Sequence, residues 1–443
     1  MALPPSASRR MIIVLSLLAG ILTTASTAVA ADWPHWRGPQ RNGRVAENSG
    51  WDGTNWPLAE IWSQYVGMGS TSPLVVAGQL YTLGWNNGRD RVVCLDAATG
   101  EEIWQEEYPC PQYGRFATGD EGLYGGPTAT PEFDVETGML FTMSTDGDVV
   151  AWQTGQEHRL IWRENLYDKF KVRRRPKITR IGGLRDYGYT AAPMVFGGQL
   201  LIEAGDNTGN LIAFDKHNGK PLWTSINKDP AGHTAGAAFI DVEGVPCLAV
   251  FTVHNLVVTR LDEGNEGKTV GRYEWKTDFA NSIASPAVFG ASVLITSNYN
   301  KNAIARLDVT LKGIKKRWEQ PLPSKICTPV IHDGHVYYAW RRLRCLDFAT
   351  GEQRWEGGDF SEAGSCIVTG DDRLITYGGT GRLVLTETAT RSPDSYTELA
   401  RHDHIFRTDV WPHVALADGK LYCKDWQGNL KCLQIGGGGN AQP

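Results

Sequence analysis

Three stretches of the 443-residue chain share one pattern without gaps: CLDAATGEEIW (Cys94–Trp104), AFDKHNGKPLW (Ala213–Trp223) and CLDFATGEQRW (Cys345–Trp355). Each begins with a small residue and ends in Trp, with Gly six positions after the start. The second position after the start is Asp96, Asp215 or Asp347. An Asp side chain caps the backbone donors of a turn, and Gly adopts the left-handed conformation that such a turn requires. The pattern therefore predicts a strand, a tight turn and a second strand that carries the indole.

The repeat continues beyond these three copies. Weaker copies and an isolated LAEIW bring the predicted docking rings to seven: Trp62, Trp104, Trp162, Trp223, Trp275, Trp318 and Trp355. Upstream of each ring lies a strand start such as TSPLVVAGQLY or CTPVIHDGHVY. A unit of about 45 residues with four short strands is typical of a propeller blade, which buries both faces only by stacking in a ring. Eight starts and eight ends predict eight blades, with seven as the alternative.

The two ends of the repeat region complement each other. The last copy, LYCKDWQGNLKCL, stops after its third strand at Leu433, whereas the segment from Leu58 to Trp62 is an outer strand without a blade. Pairing between them closes the ring and removes its open edges. The sequence thus predicts an all-β, eight-bladed propeller of four-stranded antiparallel blades over residues 31–435, with a flexible tail at 436–443.

The first thirty residues have the layout of a secretory signal peptide. Arg9 and Arg10 precede an apolar run from Met11 to Leu22, and the small residues Ala28, Val29 and Ala30 follow. Polar residues interrupt the run before the roughly 20 residues that a spanning helix needs, which disfavours a retained anchor. We expect cleavage after Ala30 and a periplasmic or secreted protein.

Composition disfavours nucleic acid as a partner but does not decide whether the cysteines form disulfides. The chain has 44 Lys and Arg against 49 Asp and Glu, so we expect no nucleic-acid partner. We also expect indirect membrane association at most, and a monomer. An exported chain can form disulfides. A two-residue turn at Gln427 and Gly428 would place Cys423 opposite Cys432 as a candidate pair. Two buried free thiols are the alternative.

The blade pattern resembles the quinoprotein-type propeller family, in which small-x-Asp-x-x-x-Gly-x-x-x-Trp units dock successive blades. The opening DWPHWRGPQRNG, from Asp32 to Gly43, is similar to that of exported proteins with pyrroloquinoline-quinone-like repeats, which are grouped with the outer-membrane assembly-factor propeller. The resemblance covers residues 32–434. It implies the fold and, for function, either a non-catalytic binding or assembly scaffold or a quinone-dependent alcohol dehydrogenase.

Two differences from the catalytic members favour the scaffold. The vicinal Cys-Cys pair of those members is absent, and no local motif transfers their Ca²⁺ ligands or base to numbered residues. The expected function is therefore a scaffold that binds a protein or small ligand. A dehydrogenase that uses pyrroloquinoline quinone and Ca²⁺, and a propeller that binds polysaccharide through aromatic residues, are the alternatives.

Residues that directly precede the innermost strands should line one mouth of the central channel. They are Ser70, Tyr124, Tyr189, His233, Asn281, Lys325, Glu362 and Asp409. In a dehydrogenase, Lys325 or Arg185 would pair with the carboxylates of the cofactor. Glu362 or Asp409 would then bind Ca²⁺ or act as the base. The other interpretation is a hydrated channel mouth without a ligand.

One insert carries the strongest local concentration of positive charge in the sequence. KFKVRRRPKITRIGGLRD contains Lys169, Lys171, Arg173, Arg174, Arg175, Lys177 and Arg180. It is interpreted either as a docking patch for an acidic partner or as a solvated flap. A second insert, from Gln105 to Gly122, should emerge on the same face. The two histidines of His402–His404 have metal-ligand spacing but lack a third ligand, so no metal site is predicted.

Overall fold

The structure is a computed structural model that describes Met1 and residues 32–115, 122–155, 157–174 and 185–436. Apart from Met1, the expected signal peptide lies outside the described residues. So do Arg175, Lys177, Arg180 and most of the expected tail. The described strands form eight antiparallel sheets that succeed one another along the chain. The predicted all-β, eight-bladed propeller is confirmed.

Most blades consist of four consecutive strands, which run outward from the channel. Strand β1 (Leu58–Tyr65) precedes blade 1, which comprises β2 (Leu74–Val76), β3 (Gln79–Asn86), β4 (Arg89–Asp96) and β5 (Glu102–Pro109). Blade 2 comprises β6 (Glu132–Asp134), β7 (Met139–Met143), β8 (Asp148–Gln153) and β9 (Arg159–Asn165), followed by helix α1 (Leu166–Phe170). Blade 3 comprises β10 (Met194–Phe196), β11 (Gln199–Gly205), β12 (Gly209–Asp215) and β13 (Pro221–Thr224). Blade 4 comprises β14 (Ala238–Val242), β15 (Val245–Phe251), β16 (Asn255–Arg260) and β17 (Thr269–Glu274).

The second half of the ring repeats this order with one variation. Blade 5 comprises β18 (Ala287–Phe289), β19 (Ser292–Tyr299), β20 (Lys301–Thr310) and β21 (Gly313–Gln320). Blade 6 comprises β22 (Val330–His332), β23 (His335–Asp347) and β24 (Gln353–Ser361). Blade 7 comprises β25 (Ala363–Val368), β26 (Arg373–Gly378), β27 (Arg382–Glu387) and β28 (Glu398–His402). Blade 8 comprises β29 (Ala415–Ala417), β30 (Lys420–Lys424), β31 (Asn429–Ile435) and β1.

Blade 6 has three strands because its long middle strand, β23, takes the place of two strands in the other blades. The first part of β23 pairs with β22, and the part from Arg341 onward pairs with β24. Arg341 has a φ of 59°, which turns the chain between the two parts. Blade 6 therefore keeps the blade geometry of its neighbours.

The ring closes through the two ends of the repeat region, as expected. Strand β1 pairs antiparallel with β31, from Leu58 opposite Ile435 to Tyr65 opposite Asn429. The outer strand of blade 8 thus comes from the start of the chain and its inner three strands from the end. No helix in the described part of the chain has the length and hydropathy to cross a membrane.

The expected register of the last hairpin is wrong by one residue. Tyr422, not Cys423, lies opposite Cys432, and Cys423 lies opposite Lys431. Adjacent strand residues point to opposite faces of a sheet, so the two sulfurs are separated by the sheet. The cause is a longer loop, in which the Asp425 N–H donates to the Asn429 carbonyl. Both cysteines are buried free thiols, as are the other six.

The three intact repeats receive the indole of the preceding blade. Trp62 contacts Gly100, Trp162 contacts Gly219 and Trp318 contacts Gly351 so closely that a Cβ at each glycine would lie 2.6–2.7 Å from the ring. Each indole N–H also donates to the carbonyl three residues before that glycine, at 2.9–3.1 Å. The repeat therefore specifies the docking surface as well as the turn.

One end of the central channel is covered by the N-terminal segment, residues 32–56, and is called the closed end. Trp33 exchanges backbone hydrogen bonds with Val75, the Pro34 carbonyl accepts from Phe133 N–H, and Val45 N–H donates to Val368. These partners lie in the innermost strands of blades 1, 2 and 7. The Arg37 guanidinium is buried and donates to the Pro329 carbonyl at 2.6 Å. The N-terminal segment thus seals the channel opposite the residues that precede the inner strands.

Candidate functional site

The opposite end of the channel, called the open end, contains a cavity of about 370 Å³. Its walls include seven of the nine residues that the sequence assigns to the cofactor site or channel mouth. They are Ser70, Tyr124, His233, Asn281, Lys325, Glu362 and Asp409. The segments before six different inner strands, together with Glu362 at the junction of β24 and β25, bring these side chains together. We call this space the open-end cavity.

The floor of the open-end cavity includes a residue of the N-terminal segment. Trp36 lines the cavity, and its indole N–H donates to the Ser285 hydroxyl at 3.3 Å. Behind it, the buried His413 ring lies 5.2 Å from Trp36 and 5.9 Å from Trp33. The closed end and the cavity floor therefore form one packed aromatic layer, which separates the open-end cavity from the closed end.

Charged groups in the open-end cavity pair with one another. Lys325 and Glu362 form an ion pair, and Lys325 Nζ also lies 5.6 Å from the Tyr299 ring. Burial lowers the pKa of Lys325, but its hydrogen bond to Glu362 and its interactions with Tyr299 and the Glu362 charge together raise it more, so the net shift is upward. Burial and the nearby charge of Glu362 raise the pKa of the Asp409 carboxyl. Asp409 therefore holds its proton to higher pH than an exposed aspartate.

Aromatic rings form much of the remaining wall. The Tyr124 ring lies 4.3 Å from Trp411, and the Arg115 guanidinium lies 5.3 Å from the centre of the Tyr124 ring. Burial, followed by the charge of Asp409, raises the pKa of the Tyr124 hydroxyl. Tyr124 has a φ of 58°, a left-handed conformation that costs energy for a residue with a Cβ. The surrounding contacts hold this ring in place despite the strain.

A histidine and an amide supply a defined hydrogen-bonding edge. His233 Nε2 accepts from the Tyr187 backbone N–H at 3.4 Å, which places the ring proton on Nδ1. Nδ1 then donates to Asn281 Oδ1 at 3.1 Å. The Asn281 amide is therefore oriented with its NH₂ group away from His233.

The structure excludes two predicted residues from the cavity wall. Arg185 is fully buried, with its guanidinium 4.8 Å from the Tyr189 ring. Tyr189 is also buried and packs against Tyr167 of helix α1 at 5.2 Å. The chain turns inward at the end of the basic insert, so these side chains join the core between blades 2 and 3. Tyr187, two residues earlier, lines the cavity instead.

The described part of the basic insert is partly neutralised by nearby acids. Lys169 pairs with Glu164 at 2.7 Å, and Arg174 pairs with Asp146 at 2.9 Å. Lys171 and Arg173 are exposed. The two inserts meet at the open end, where the Gly114 N–H donates to the Asp186 carbonyl. In the described part of the insert, two of these four basic side chains are therefore paired with acids.

Sequence reasoning missed several cavity residues, namely Trp36, Arg115, Tyr187, Tyr299 and Trp411. Trp36 belongs to the opening motif but comes from outside the repeats, so no blade spacing points to it. Trp411 lies two residues after Asp409, and this proximity was the available signal. The others depend on how the inserts and blade 5 fold.

Two histidine clusters lie away from the open-end cavity. His332 Nε2 lies 2.8 Å from Asp372 and 3.4 Å from Asp333, on the closed-end side. Its Nδ1 is buried without a hydrogen-bond partner in the described structure, whereas a metal-bound histidine normally donates that proton. At the other cluster, His402 Nε2 hydrogen-bonds the Trp56 carbonyl at 2.8 Å. Neither arrangement is built as a metal centre.

The open-end cavity does not fit pyrroloquinoline quinone and Ca²⁺. Three carboxylates on a quinone require an excess of cations, whereas the described lining contains two basic residues, Arg115 and Lys325, against two acidic ones, Glu362 and Asp409. Glu362 is already engaged by Lys325, so binding Ca²⁺ there would require that ion pair to break. No reaction step is derived through this cofactor.

Comparisons with known proteins agree with this fold. Residues 88–357 match the sequence profile of the PQQ-type repeat family described as outer membrane protein assembly factor BamB. The chain is 24% identical over 277 residues to the outer membrane protein assembly factor BamB of Xanthomonas campestris pv. campestris. That alignment covers 54% of this chain and 63% of the relative, so the chain spans less than two thirds of the relative's length.

Solved structures show the same architecture at low identity. BamB from Moraxella catarrhalis superposes with a TM-score of 0.58 and 11% identity, over 85% of this chain and 100% of that one. Quinohemoprotein alcohol dehydrogenase from Comamonas testosteroni gives 0.64 and 14%, over 93% and 82%. These similarities show the fold alone, because BamB and the alcohol dehydrogenase both have it. Because the profile covers more than half of the sequence, the chain belongs to the PQQ-repeat propeller family of outer membrane protein assembly factor BamB.

Proposed function

We propose that this protein is an exported, non-catalytic binding or assembly scaffold that contacts its partner with the open end of the propeller. Both long inserts reach this end, and the hydrogen bond from Gly114 to Asp186 joins them into one surface. That junction is the observation that carries the proposal. Membership of the assembly-factor family supports it. Export after cleavage behind Ala30 would place this surface in the periplasm or outside the cell.

Two exposed phenylalanines of blade 5 allow a matched test. Phe279 precedes β18 on the open-end side and is 45% exposed, whereas Phe289 ends β18 on the closed-end side and is 50% exposed. Each is replaced by the photo-cross-linker p-benzoylphenylalanine, and cells of the source are irradiated. We expect one discrete protein adduct from Phe279 and none from Phe289. Adducts from Phe289 alone, equal adducts from both sites, or no adduct from Phe279 would refute the open-end assignment.

The dehydrogenase is the competing function and has a direct assay. The mature protein is mixed with pyrroloquinoline quinone and Ca²⁺, and absorbance and dye-linked alcohol oxidation are followed. We expect neither saturable binding nor turnover, because the lining carries no excess of cations. Turnover that depends on the quinone would replace the scaffold with an oxidoreductase. N-terminal sequencing of the exported protein tests the cleavage site, with Ala31 expected first.

A further inference from the structure

We propose that the open-end cavity binds a neutral saccharide, one or two rings long, at the end of a glycan. This goes beyond a protein-binding surface, because it assigns a ligand to the interior of the channel. The proposal rests on three independent properties of the cavity: its shape, its aromatic walls and its balanced charge.

The shape favours a ligand that enters by its end. Trp36 and the aromatic layer behind it close the floor, so a polymer cannot thread through the channel. The volume of about 370 Å³ suits a ligand of one or two sugar rings. Loops from several blades surround the entrance, which leaves the rest of a glycan outside in solvent.

The aromatic walls provide surfaces for sugar rings. Tyr124 and Trp411 form one contact pair, 4.3 Å apart, beside blades 1 and 8. Tyr299 belongs to blade 5, across the ring, and contacts the exposed Phe279 at 6.2 Å. The C–H face of a pyranose is apolar and packs against aromatic rings, while tyrosine and tryptophan keep a polar group for its edge. Opposed aromatic walls therefore suit a flat ring that is polar only at its edge.

The polar groups between these walls match sugar hydroxyls. Ser70 and Thr128 line the cavity, as do Thr190 and Thr234, whose hydroxyls already donate to the Thr234 and Gly236 carbonyls and retain only acceptor capacity. Asn281 offers an NH₂ group and Asp409 a carboxyl group. A sugar hydroxyl both donates and accepts, so it can bond to each of these types. The site is thus rich in groups of mixed donor and acceptor character.

Charge balance distinguishes a neutral sugar from an anionic ligand. Arg115 and Lys325 face Glu362 and Asp409, and Lys325 is already paired with Glu362. An anion would have to break that pair or face an acidic group without compensation, which is costly in a half-buried site. A neutral ligand leaves the pair intact. The same argument that disfavours the quinone therefore disfavours uronic acids and sialic acids.

The first experiment is a glycan array probed with the full mature protein. It compares glycans that end in neutral hexoses with matched glycans that end in uronic acids, and includes neutral peptides as a further class. We expect binding to a subset of the neutral glycans. Binding to none of them, stronger binding to the uronic-acid set, or binding to the peptides alone would overturn the proposal.

Variants then locate the binding site. The best neutral disaccharide is titrated by calorimetry against Trp411→Ala, Asp409→Asn and the control Trp340→Ala, whose indole lies outside the cavity lining. We expect Trp411→Ala and Asp409→Asn each to weaken binding about tenfold or more, with Trp340→Ala unchanged. Asp409→Asn keeps the side-chain size, so it remains informative if Trp411→Ala folds poorly. Unchanged affinity in both cavity variants would overturn the assignment, while photo-adducts at Phe279 would still report on the scaffold.

Discussion

The two ends of the central channel are formed by the same eight innermost strands, but the N-terminal segment covers one end and leaves the other open. At the closed end, Trp33, Arg37 and His413 are almost completely buried under the N-terminal segment. At the open end, Asp409 and Trp411 remain partly exposed. The propeller alone provides a passage through the ring, and the N-terminal segment converts that passage into a pocket. Aromatic residues at one end therefore serve stability, while those at the other end are available to a ligand.

Truncating one tryptophan at each end gives the largest contrast. Trp33→Ala should lower the free energy of unfolding by about 3–5 kcal/mol, because a fully buried ring leaves a cavity behind. Trp411→Ala should cost less than half as much, since its ring borders the open-end cavity. Urea denaturation of both variants measures the difference. Equal losses would mean that the two ends are equally part of the core.

The buried histidine of the closed end makes stability depend on pH. Burial lowers the pKa of His413 from 6.5 to about 3, and the Arg37 charge acts in the same direction. Below about pH 6.5, His413 therefore binds a proton in the unfolded chain but stays neutral in the folded chain. Stability from this group is complete above that pH and declines as the pH falls toward 3. The expected loss between pH 7 and pH 5 is about 2 kcal/mol.

His413→Gln is the variant that isolates this effect. It should flatten the pH dependence over this range, whatever it does to stability at pH 7. The measurement is the free energy of unfolding at several pH values for both proteins. An unchanged slope in the variant would show that the pKa of His413 is the same in the folded and unfolded chains.

The smallest expected effect concerns the ion pair of the open end. Lys325→Met removes the partner of Glu362, but the two side chains are 20% and 36% exposed at the cavity wall, where solvent weakens their attraction. We expect the free energy of unfolding to change by about 1 kcal/mol or less. Thermal unfolding at low and high salt provides the measurement, with Glu362→Gln as the matched control. A loss of the size expected for Trp33→Ala would place the pair in the structural core.

The repeats explain why the fold could be predicted from the sequence. In Cys94–Trp104, the spacing between Asp96, Gly100 and Trp104 specifies a turn, a docking glycine and an indole at once. The same reasoning predicted that Lys325 and Asp409 lie at the channel mouth, because each lies a few residues before an inner strand. Patterns of this kind depend on neighbours in the chain and on the constant geometry of a blade.

The errors about the cavity arose where contacts depend on longer-range packing, whereas the error in the last hairpin was local. Tyr189 follows a long insert, so its position before β10 did not reveal that it packs against Tyr167. Trp36 reaches the cavity from a segment that belongs to no blade. The Cys423 register failed for a local reason, since one extra loop residue reverses every side chain of a strand. Counting along the chain cannot anticipate any of these features.

Closing the ring with β1 and β31 also has a consequence during synthesis. Strand β1 is synthesised long before its partner strand β31, so it waits unpaired while most of the propeller is translated. At about 5–20 residues per second, this delay lasts tens of seconds. Through that time both edges of the growing stack are exposed to intermolecular strand pairing. Strand pairing between chains is therefore a hazard until β31 has been made.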